Sequence, residues 1–484
     1  MSASPDTKQF ADLSADAIPG PRPQRVIGNA LHISAKHAVE GAMKLARQYG
    51  PIYRLVVPGG GERFVVSGAN LVEELCDERR FDKLVTGGLS EVRQDPANTG
   101  LFLSDTDNPL WLRAHNILLP SFSQQAMQDY HPMMLDVADQ LMLKWGRLNS
   151  DDEVDVAGDM TRLTLDTIAL CGFGYRFNSF YRDTPHPFVA AMVRTLTESQ
   201  TRSRSLPIQT RVRFRAGHQL AADQAYMDRV VDGIVRDRRE SGNPEGKRDL
   251  LSSMLEGVDK QSGERLPDAN IRAQCITFLI AGHETTSGLL SFAVYYLLKH
   301  PEVMTRAQAE ADRVLGADAD LLPAYPQVGK LTYIRQILEE TLRLWPTAPG
   351  FTRYPFEDTV IGGRYPLAKG SAVLVLTPML HRDPAIWGID AEQFNPDHFT
   401  PERMRTLPPN AYKPFGSGQR ACIGRQFAMQ EATLVLGMLL QRFELIDHRG
   451  YDLKIKESLT IKPDGLRIKV RLRQGRTVGG DGLH

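Results

Sequence analysis

The chain sets 58 Lys and Arg against 58 Asp and Glu over 484 residues. That balance excludes the cationic surplus on which nucleic-acid affinity rests. With 42% hydrophobic and 24% charged residues, the composition is that of an ordinary globular protein, neither disordered nor fibrous. Its four cysteines, Cys76, Cys171, Cys275 and Cys422, are too few and too scattered for a disulfide framework or a paired zinc site.

Residues 1–30 are polar and rich in Pro, Gly and Ser, and read as a loosely held lead-in. They contain no basic segment followed by an apolar one, so no signal peptide is evident. The run IYRLVVPGGGERFVV, Ile52 to Val66, reads as two strands joined by a Gly-rich hairpin turn. Helical periodicity follows over Met127–Leu148, Met160–Cys171, Pro187–Thr197 and Ala222–Arg239. The longest apolar stretch, Cys275 to Leu298, holds Glu284 near its centre. A carboxylate at mid-bilayer costs roughly 2.5 kcal/mol or more, so the stretch predicts a helix inside the protein and not a membrane span. That helix starts near Asp268 and stops before Pro301. Short strands return at Thr359–Tyr365 and Ala372–Leu376, and an apolar helix runs from Gln426 to Leu440. The tail, 471–484, is basic and then Gly-rich, as a linker or frayed end would be. No repeat and no shift in composition appears between Tyr53 and Val470. Residues 31–470 therefore predict one large domain, mainly α with small β-sheets, in a soluble cytoplasmic protein.

Three of the cysteines have the surroundings of small buried hydrophobes. Cys422 differs. It lies in Phe415-Gly416-Ser417-Gly418-Gln419-Arg420-Ala421-Cys422-Ile423-Gly424. Glycines at 416, 418 and 424 let backbone approach a flat group closely, and the turn into the next helix offers N–H groups to a thiolate. No other Cys or His is near to complete a zinc site, which leaves a single axial thiolate on haem iron as the sensible chemistry.

This Phe-x-x-Gly-x-Arg-x-Cys-x-Gly spacing resembles the haem-binding loop of the cytochrome P450 superfamily. Ala281-Gly282-His283-Glu284-Thr285-Thr286 is similar to that family's oxygen-activation segment, and Glu340-Thr341-Leu342-Arg343 to its Glu-x-x-Arg pair. Trp111-Leu112-Arg113-Ala114-His115 resembles the helix that reaches the haem propionates. The likeness runs from about Phe10 to about Val470. It points to the haem domain of the bacterial self-sufficient fatty-acid hydroxylases, in which a flavin reductase is fused to the haem domain. Asn116–Met127, Gly174–Asp183, Phe278–Ala293 and Leu342–Pro349 carry that closer resemblance.

The resemblance implies the cytochrome P450 fold, with haem b between the long central helix and the Cys422 loop. Cys422 would be the iron ligand, and Thr285 with Glu284 would deliver protons to dioxygen. Lys83, Leu101, Phe102, Trp111 and His115 would border the haem from the N-terminal half, and Phe278, Thr347 and Phe351 from the centre. Pro414, Phe415, Arg420 and Ala421 would complete its surroundings, with Trp111, His115 and Arg420 serving the two haem carboxylates. Leu89, Val92, Phe102, Ala281, Ala348 and Leu459 match the family's apolar substrate pocket. Glu340 and Arg343 would be structural, locked to His398, where the self-sufficient hydroxylases carry Arg.

Plainer readings stand beside these. In a helix, Thr285 can bond back to the carbonyl four residues earlier while Glu284 finds a salt bridge. Gly282 is expected to leave space on the same wall for oxygen or substrate. One departure bears on substrate. The fatty-acid hydroxylases hold the substrate carboxylate with an Arg and a Tyr on the first hairpin, positions that fall here on Gly60 or Gly61 and on Phe64. Arg63 can turn inward to replace that charge. Arg211, Arg213 and Arg215, in the segment that roofs the channel, are the other source, although a solvated loop is their plainer reading.

The implied function is a haem-thiolate monooxygenase that hydroxylates long-chain fatty acids or similar apolar chains. It would use O2 and electrons from NADPH through an FMN/FAD reductase, fused in the full-length protein or separate. No Gly-x-Gly-x-x-Gly follows a strand in this chain, so flavin and nicotinamide enter through that partner. A peroxide-driven peroxygenase or a non-catalytic haem-thiolate sensor would share Cys422 without needing Glu284 and Thr285.

Overall fold

Helices form here where the apolar residues recur with the 3.6-residue period, and some of them start on a capping side chain. The computed structural model describes residues 18–473 except 26, 30, 31, 33–36, 58–60, 94, 96–98, 205–213, 243–245, 247, 317 and 319. Its principal helices are α1 (Ala38–Tyr49), α2 (Pro109–Leu118), α3 (Gln124–Gly146), α4 (Val156–Phe173), α5 (Pro187–Arg204), α6 (Phe214–Ser241), α7 (Asp268–Lys299), α8 (Thr332–Leu344) and α9 (Arg425–Arg442). Ser123 caps α3 by accepting from the Ala126 N–H, and Asp155 caps α4 by accepting from the Gly158 N–H. Gly174 ends α4 in the left-handed conformation, at φ 63°. Each predicted helix is present, and most run past the expected ends, as Pro187–Arg204 and Phe214–Ser241 do.

The largest apolar core gathers α3, α4, α7, α8 and α9 around residues such as Trp145, Leu163, Leu290, Ile337 and Leu436. Beside it stands a five-stranded sheet of β1 (Ile52–Val56), β2 (Glu62–Val66), β3 (Phe81–Lys83), β5 (Gly350–Pro355) and β8 (Ala372–Leu376), after the short β4 (Val154–Asp155) and the pair β6 (Thr359–Ile361) and β7 (Tyr365–Leu367) are set aside. The spatial order is β1-β2-β8-β5-β3, with only the β2–β8 pair parallel. Near the C-terminus, β9 (Phe443–Ile446) and β12 (Arg467–Leu472) join β4, while β10 (Ile455–Glu457) and β11 (Ile461–Pro463) form a separate hairpin. This is the expected class, mainly α with small sheets.

Three local expectations are corrected. The run Thr359–Tyr365 is not one strand: Gly362 and Gly363 both adopt positive φ, 57° and 66°, and fold it into the β6–β7 hairpin. The lead-in is anchored from Ile18, which is buried. Pro19 accepts from Arg54 N–H, and Asn29 bonds Val56 in both directions, so this segment covers the open edge of β1. At the other end, Arg471 and Leu472 belong to β12, and Arg473 pairs with Asp312 at 2.7 Å. The Pro58-Gly59-Gly60 turn, Arg211, Arg213, the side chain of Arg215, residues 1–17 and residues 474–484 lie outside what is described. Among the described residues, no helix is long and apolar enough to cross a membrane.

Candidate functional site

The Cys422 loop is fastened at both ends. At its start, the Tyr412 hydroxyl donates to Glu339 Oε2 at 2.6 Å, and the Lys413 N–H donates to His381 Nε2 at 2.8 Å. At its end, the Cys422 N–H closes the turn on the Phe415 carbonyl at 2.8 Å. Cys422 then sits three residues ahead of α9, where the helix N-terminus favours a thiolate. Burial pushes its thiol pKa up, while the Gly424 N–H and Arg425 draw it down. The glycines do not all act as expected. Gly416 and Gly418 serve the turn, at φ 76° and 63°, and a Cβ on Gly418 would strike Glu78, whose carboxylate accepts the Gln419 N–H.

Cys422 keeps accessible surface although burial dominates the behaviour of its thiol. The two observations agree if that surface faces an internal hollow. Ala281 shows the same combination, exposed in the middle of a buried helix between Ile280 at 8% and His283 at 0%. Phe102 (40% exposed) and Ala348 are likewise apolar and accessible, and Phe351, Pro414 and Phe415 are half-buried. Residues 99–104 bridge α7 and the Cys422 loop: Gln274 accepts the Leu101 N–H at 2.9 Å, and Arg420 donates to the Leu101 and Ser104 carbonyls. Phe278 is nearly covered and stacks on Phe122, which in turn lies against Gly424.

A cluster of cations borders this region. Arg420 stacks over the Trp111 ring at 4.5 Å, and Trp111 stacks on His115 with ring centroids 5.3 Å apart. The Lys83 ammonium donates to the Phe102 carbonyl at 2.6 Å and lies over its ring. Burial, with the positive charges of Arg420 and Arg93, lowers the Lys83 pKa to about 7, and burial lowers that of Arg420 to about 10. Burial and then Arg420 also lower that of His115. Such crowded, desolvated positive charge fits a ligand bearing carboxylates. Among the described residues no group of three His, Cys, Asp or Glu side chains is placed to hold a metal ion, so Cys422 would act as a single sulfur donor. A single accessible thiol, accessible apolar side chains such as Phe102, Ala281 and Ala348, and desolvated cations together fit a haem.

Glu284 and Thr285 leave α7 in different directions. The Thr285 hydroxyl, partly exposed, donates to the Ala281 carbonyl at 2.9 Å. Glu284 is buried and turned to the β10–β11 hairpin, where the Thr460 hydroxyl donates to Oε2 at 3.1 Å and Lys462 Nζ to Oε1 at 3.3 Å. His283 Nε2 stands 3.4 Å from Oε1 but off a hydrogen-bond line. Burial alone would raise the Glu284 pKa; His283, Lys462 and Thr460 together bring it well below the usual carboxylate range. Gly282 has another purpose than the one expected. Its missing Cβ would meet Ile168 at 2.8 Å, so it lets α4 and α7 pack closely and does not widen the hollow.

The other predicted residues fall into two groups. Leu89 and Val92 are half-buried; Gly88 beside them packs on Gln200 of α5, which donates to the Ser458 carbonyl next to Leu459. Thr347 is buried and accepts the Ile461 N–H at 3.0 Å, which ties the same hairpin to the end of α8. Glu340 and Arg343 are fully buried and joined by bonds of 2.6 and 2.8 Å, with His398 Nδ1 3.2 Å from Glu340 Oε1. Phe64 points into the sheet core. Arg63 stays exposed on β2, yet burial lowers its pKa, so its guanidinium is only partly desolvated.

Sequence reasoning missed His381, Thr460 and Lys462. One signal for the last two was present. At Gly288, one turn beyond Glu284, a Cβ would strike the Ile461 carbonyl and Thr347, so this glycine admits the hairpin.

Comparison with known proteins follows the same line. Residues 18–470 match the cytochrome P450 family. The chain is 55% identical over 461 residues to bifunctional cytochrome P450/NADPH–P450 reductase 2 of Bacillus subtilis, covering 95% of this chain and 43% of that protein. It is 53% identical over 464 residues to the bifunctional cytochrome P450/NADPH–P450 reductase of Bacillus cereus, covering 96% and 43%. A self-sufficient cytochrome P450 monooxygenase of Aspergillus terreus is 45% identical over 467 residues, with 96% and 44% covered. The chain thus spans less than half the length of these relatives. A match of this extent shows that the chain belongs to the cytochrome P450 family.

Proposed function

We propose that this chain is the haem domain of a monooxygenase that hydroxylates C–H bonds of long-chain fatty acids or similar apolar chains. It would take electrons from NADPH through an FMN/FAD reductase, fused or separate. The observation that carries the reading is the accessible thiol of Cys422 just ahead of α9, beside the cations Lys83 and Arg420, whose pKa values burial lowers to about 7 and about 10. The names of the relatives, which join a P450 to a reductase, support the choice of partner. In this reading the haem domain, expected over residues 31–470, extends to Ile18 and Arg473, and the tail beyond leads toward the reductase.

When bound, a haem with an axial thiolate supplies dioxygen activation and O–O cleavage, chemistry for which this family is itself the reference example. Cys422 Sγ would be the ligand. Lys83, Arg420, Trp111 and His115 would hold the haem carboxylates, and Leu101, Phe278, Thr347, Phe351, Pro414, Phe415 and Ala421 would enclose the ring. Phe102, Leu89, Val92, Ala281, Ala348 and Leu459 would line the apolar chain's path and exclude water from it. Thr285 Oγ1, which is partly exposed, would hold a proton beside the haem, and Glu284 would resupply it.

The test is product analysis with fatty acids, O2, NADPH and an FMN/FAD reductase. Hydroxylated product formed in proportion to NADPH consumed is expected. Equal turnover with hydrogen peroxide alone would replace this reading by a peroxygenase, and no consumption of NADPH with any substrate by a sensor.

A further inference from the structure

The segment from Thr99 to Ser104 carries Phe102, 40% exposed, and is neither helix nor strand. Tethers to other elements therefore set its place. On one side Arg420, two residues before Cys422, donates to the Leu101 and Ser104 carbonyls. On the other side stand Asn270 and Gln274, one turn apart on α7 and fully buried. Asn270 Nδ2 donates to the Thr99 carbonyl at 3.1 Å, Gln274 Nε2 donates to Asn270 Oδ1 at 3.1 Å, and Gln274 Oε1 accepts the Leu101 N–H at 2.9 Å. The three bonds run in one direction, so together they fix which way each buried amide faces. Gly100 lies between the two anchored residues. A Cβ there would strike the Thr277 hydroxyl and come within 2.7 Å of the Ala273 carbonyl oxygen, so only glycine lets the segment lie this close to α7. Two turns beyond Gln274, on the same face of the helix, is the exposed Ala281. One stripe of α7 thus holds the Phe102 segment and bears a second accessible apolar residue.

We propose that Gln274 is a positioning residue for regiochemistry: through the Leu101 N–H it sets where the Phe102 ring stands relative to Ala281, and so which carbons of an apolar chain are presented for hydroxylation. The inference rests on the monooxygenase reading, in which Phe102 and Ala281 line the chain's path, and adds what holds that path in shape. The two amides also have a plainer purpose, because burying the Leu101 N–H and the Thr99 carbonyl without partners is costly. That purpose alone affects stability and leaves the pattern of products unchanged. Gln274 has no exposed surface, so it acts through Phe102 and not by touching the chain. Its effect on the products must therefore vanish once the Phe102 ring is removed.

Gln274→Met keeps the length of the side chain and removes both of its hydrogen bonds. It is compared with the parent, Phe102→Ala and the double variant in the full chain, loaded with haem and supplied with reductase, NADPH and hexadecanoic acid. Gln274→Met is expected to change the ratio of positional hydroxylation products on the order of 10-fold. Added to Phe102→Ala, it is expected to change that ratio by less than about 2-fold. Gly100→Ala lifts the segment from α7 without altering Gln274, and is expected to shift the ratio in the same direction; it carries the test if Gln274→Met does not fold. A readout independent of turnover is amide hydrogen exchange in the haem-loaded chain. The Leu101 N–H should exchange about 10-fold faster in Gln274→Met, with the Cys422 N–H unchanged. A parental product ratio in Gln274→Met, an equal shift with and without the Phe102 ring, or an unchanged Leu101 amide would overturn the inference. Where the parent forms hydroxylated product and the ratio stays fixed, this inference falls alone; a parent that forms none removes the monooxygenase reading and this inference with it.

Discussion

Arg343 grips Glu340 through two hydrogen bonds, Nε to Oε2 at 2.6 Å and Nη2 to Oε1 at 2.8 Å, and neither side chain has any exposure. The spare donors of Arg343 go to the carbonyls of His381, Ala391 and Gln393, and Glu340 also accepts from the Asn395 N–H. The pair thus pins the 381–395 segment to α8. Removing one partner leaves the other charge buried. Glu340→Gln should cost about 3–5 kcal/mol, read as a fall in denaturant midpoint with loss of bound haem. An unchanged midpoint would make the pair dispensable.

Much of this site is legible in sequence because its partners are local. Glu340 and Arg343 are three residues apart, Trp111 and His115 four, and the Cys422 loop is contiguous, so spacing alone brings each set together. The partners of Glu284 are not local: Thr460 and Lys462 stand 176 and 178 residues away and arrive only when a short hairpin packs on α7. Gly282 misleads for the same reason, since its neighbour Ile168 lies on another helix. Strands β3 and β5 went unnoticed because short, half-buried runs such as Phe81–Lys83 have no clear alternation until β8 pairs with β5.

His381 accepts the Lys413 N–H at 2.8 Å, and burial, followed by the charge of Arg343, lowers its pKa to about 3. Unfolded histidine titrates near 6.5. Between those values the unfolded chain binds the extra proton, so this residue's contribution is complete above about pH 6.5 and is lost as the pH falls toward about 3. His381→Gln, which keeps an acceptor but no titration, should flatten the stability profile over that window. Denaturant midpoints across it are the check, and a slope equal to the parent's would contradict the assignment.

Lys83 makes the same argument for the cation cluster. Its pKa is lowered to about 7 in the folded chain, against roughly 10.4 when unfolded. Without a bound anion, the penalty that Lys83 alone places on stability is therefore absent above about pH 10.4 and grows as the pH falls toward 7. Lys83→Met should make the haem-free chain more stable at neutral pH and make the loaded chain release haem faster. Urea unfolding of the haem-free chain and haem transfer to apomyoglobin measure the two effects. Faster release without the gain in stability would show that Lys83 is not strained by unpaired charge.

Arg63 is an exposed cation on the first hairpin, its guanidinium partly desolvated. If it anchors substrate carboxylates, spectral titration of the ferric chain should favour fatty acids over their methyl esters, and Arg63→Ala should weaken acids by about 1–3 kcal/mol while sparing esters. Equal affinity for acids and esters in the parent would mean an apolar pocket without an anchor.

The central claim is that Cys422 presents a thiolate to haem iron, and the reduced carbon monoxide complex reports it most directly. The parent chain is predicted to show the thiolate-specific absorption, and folded, haem-loaded Cys422→Ser to lack it. A parent chain without that absorption, or a Cys422→Ser chain that retains it, would contradict the account.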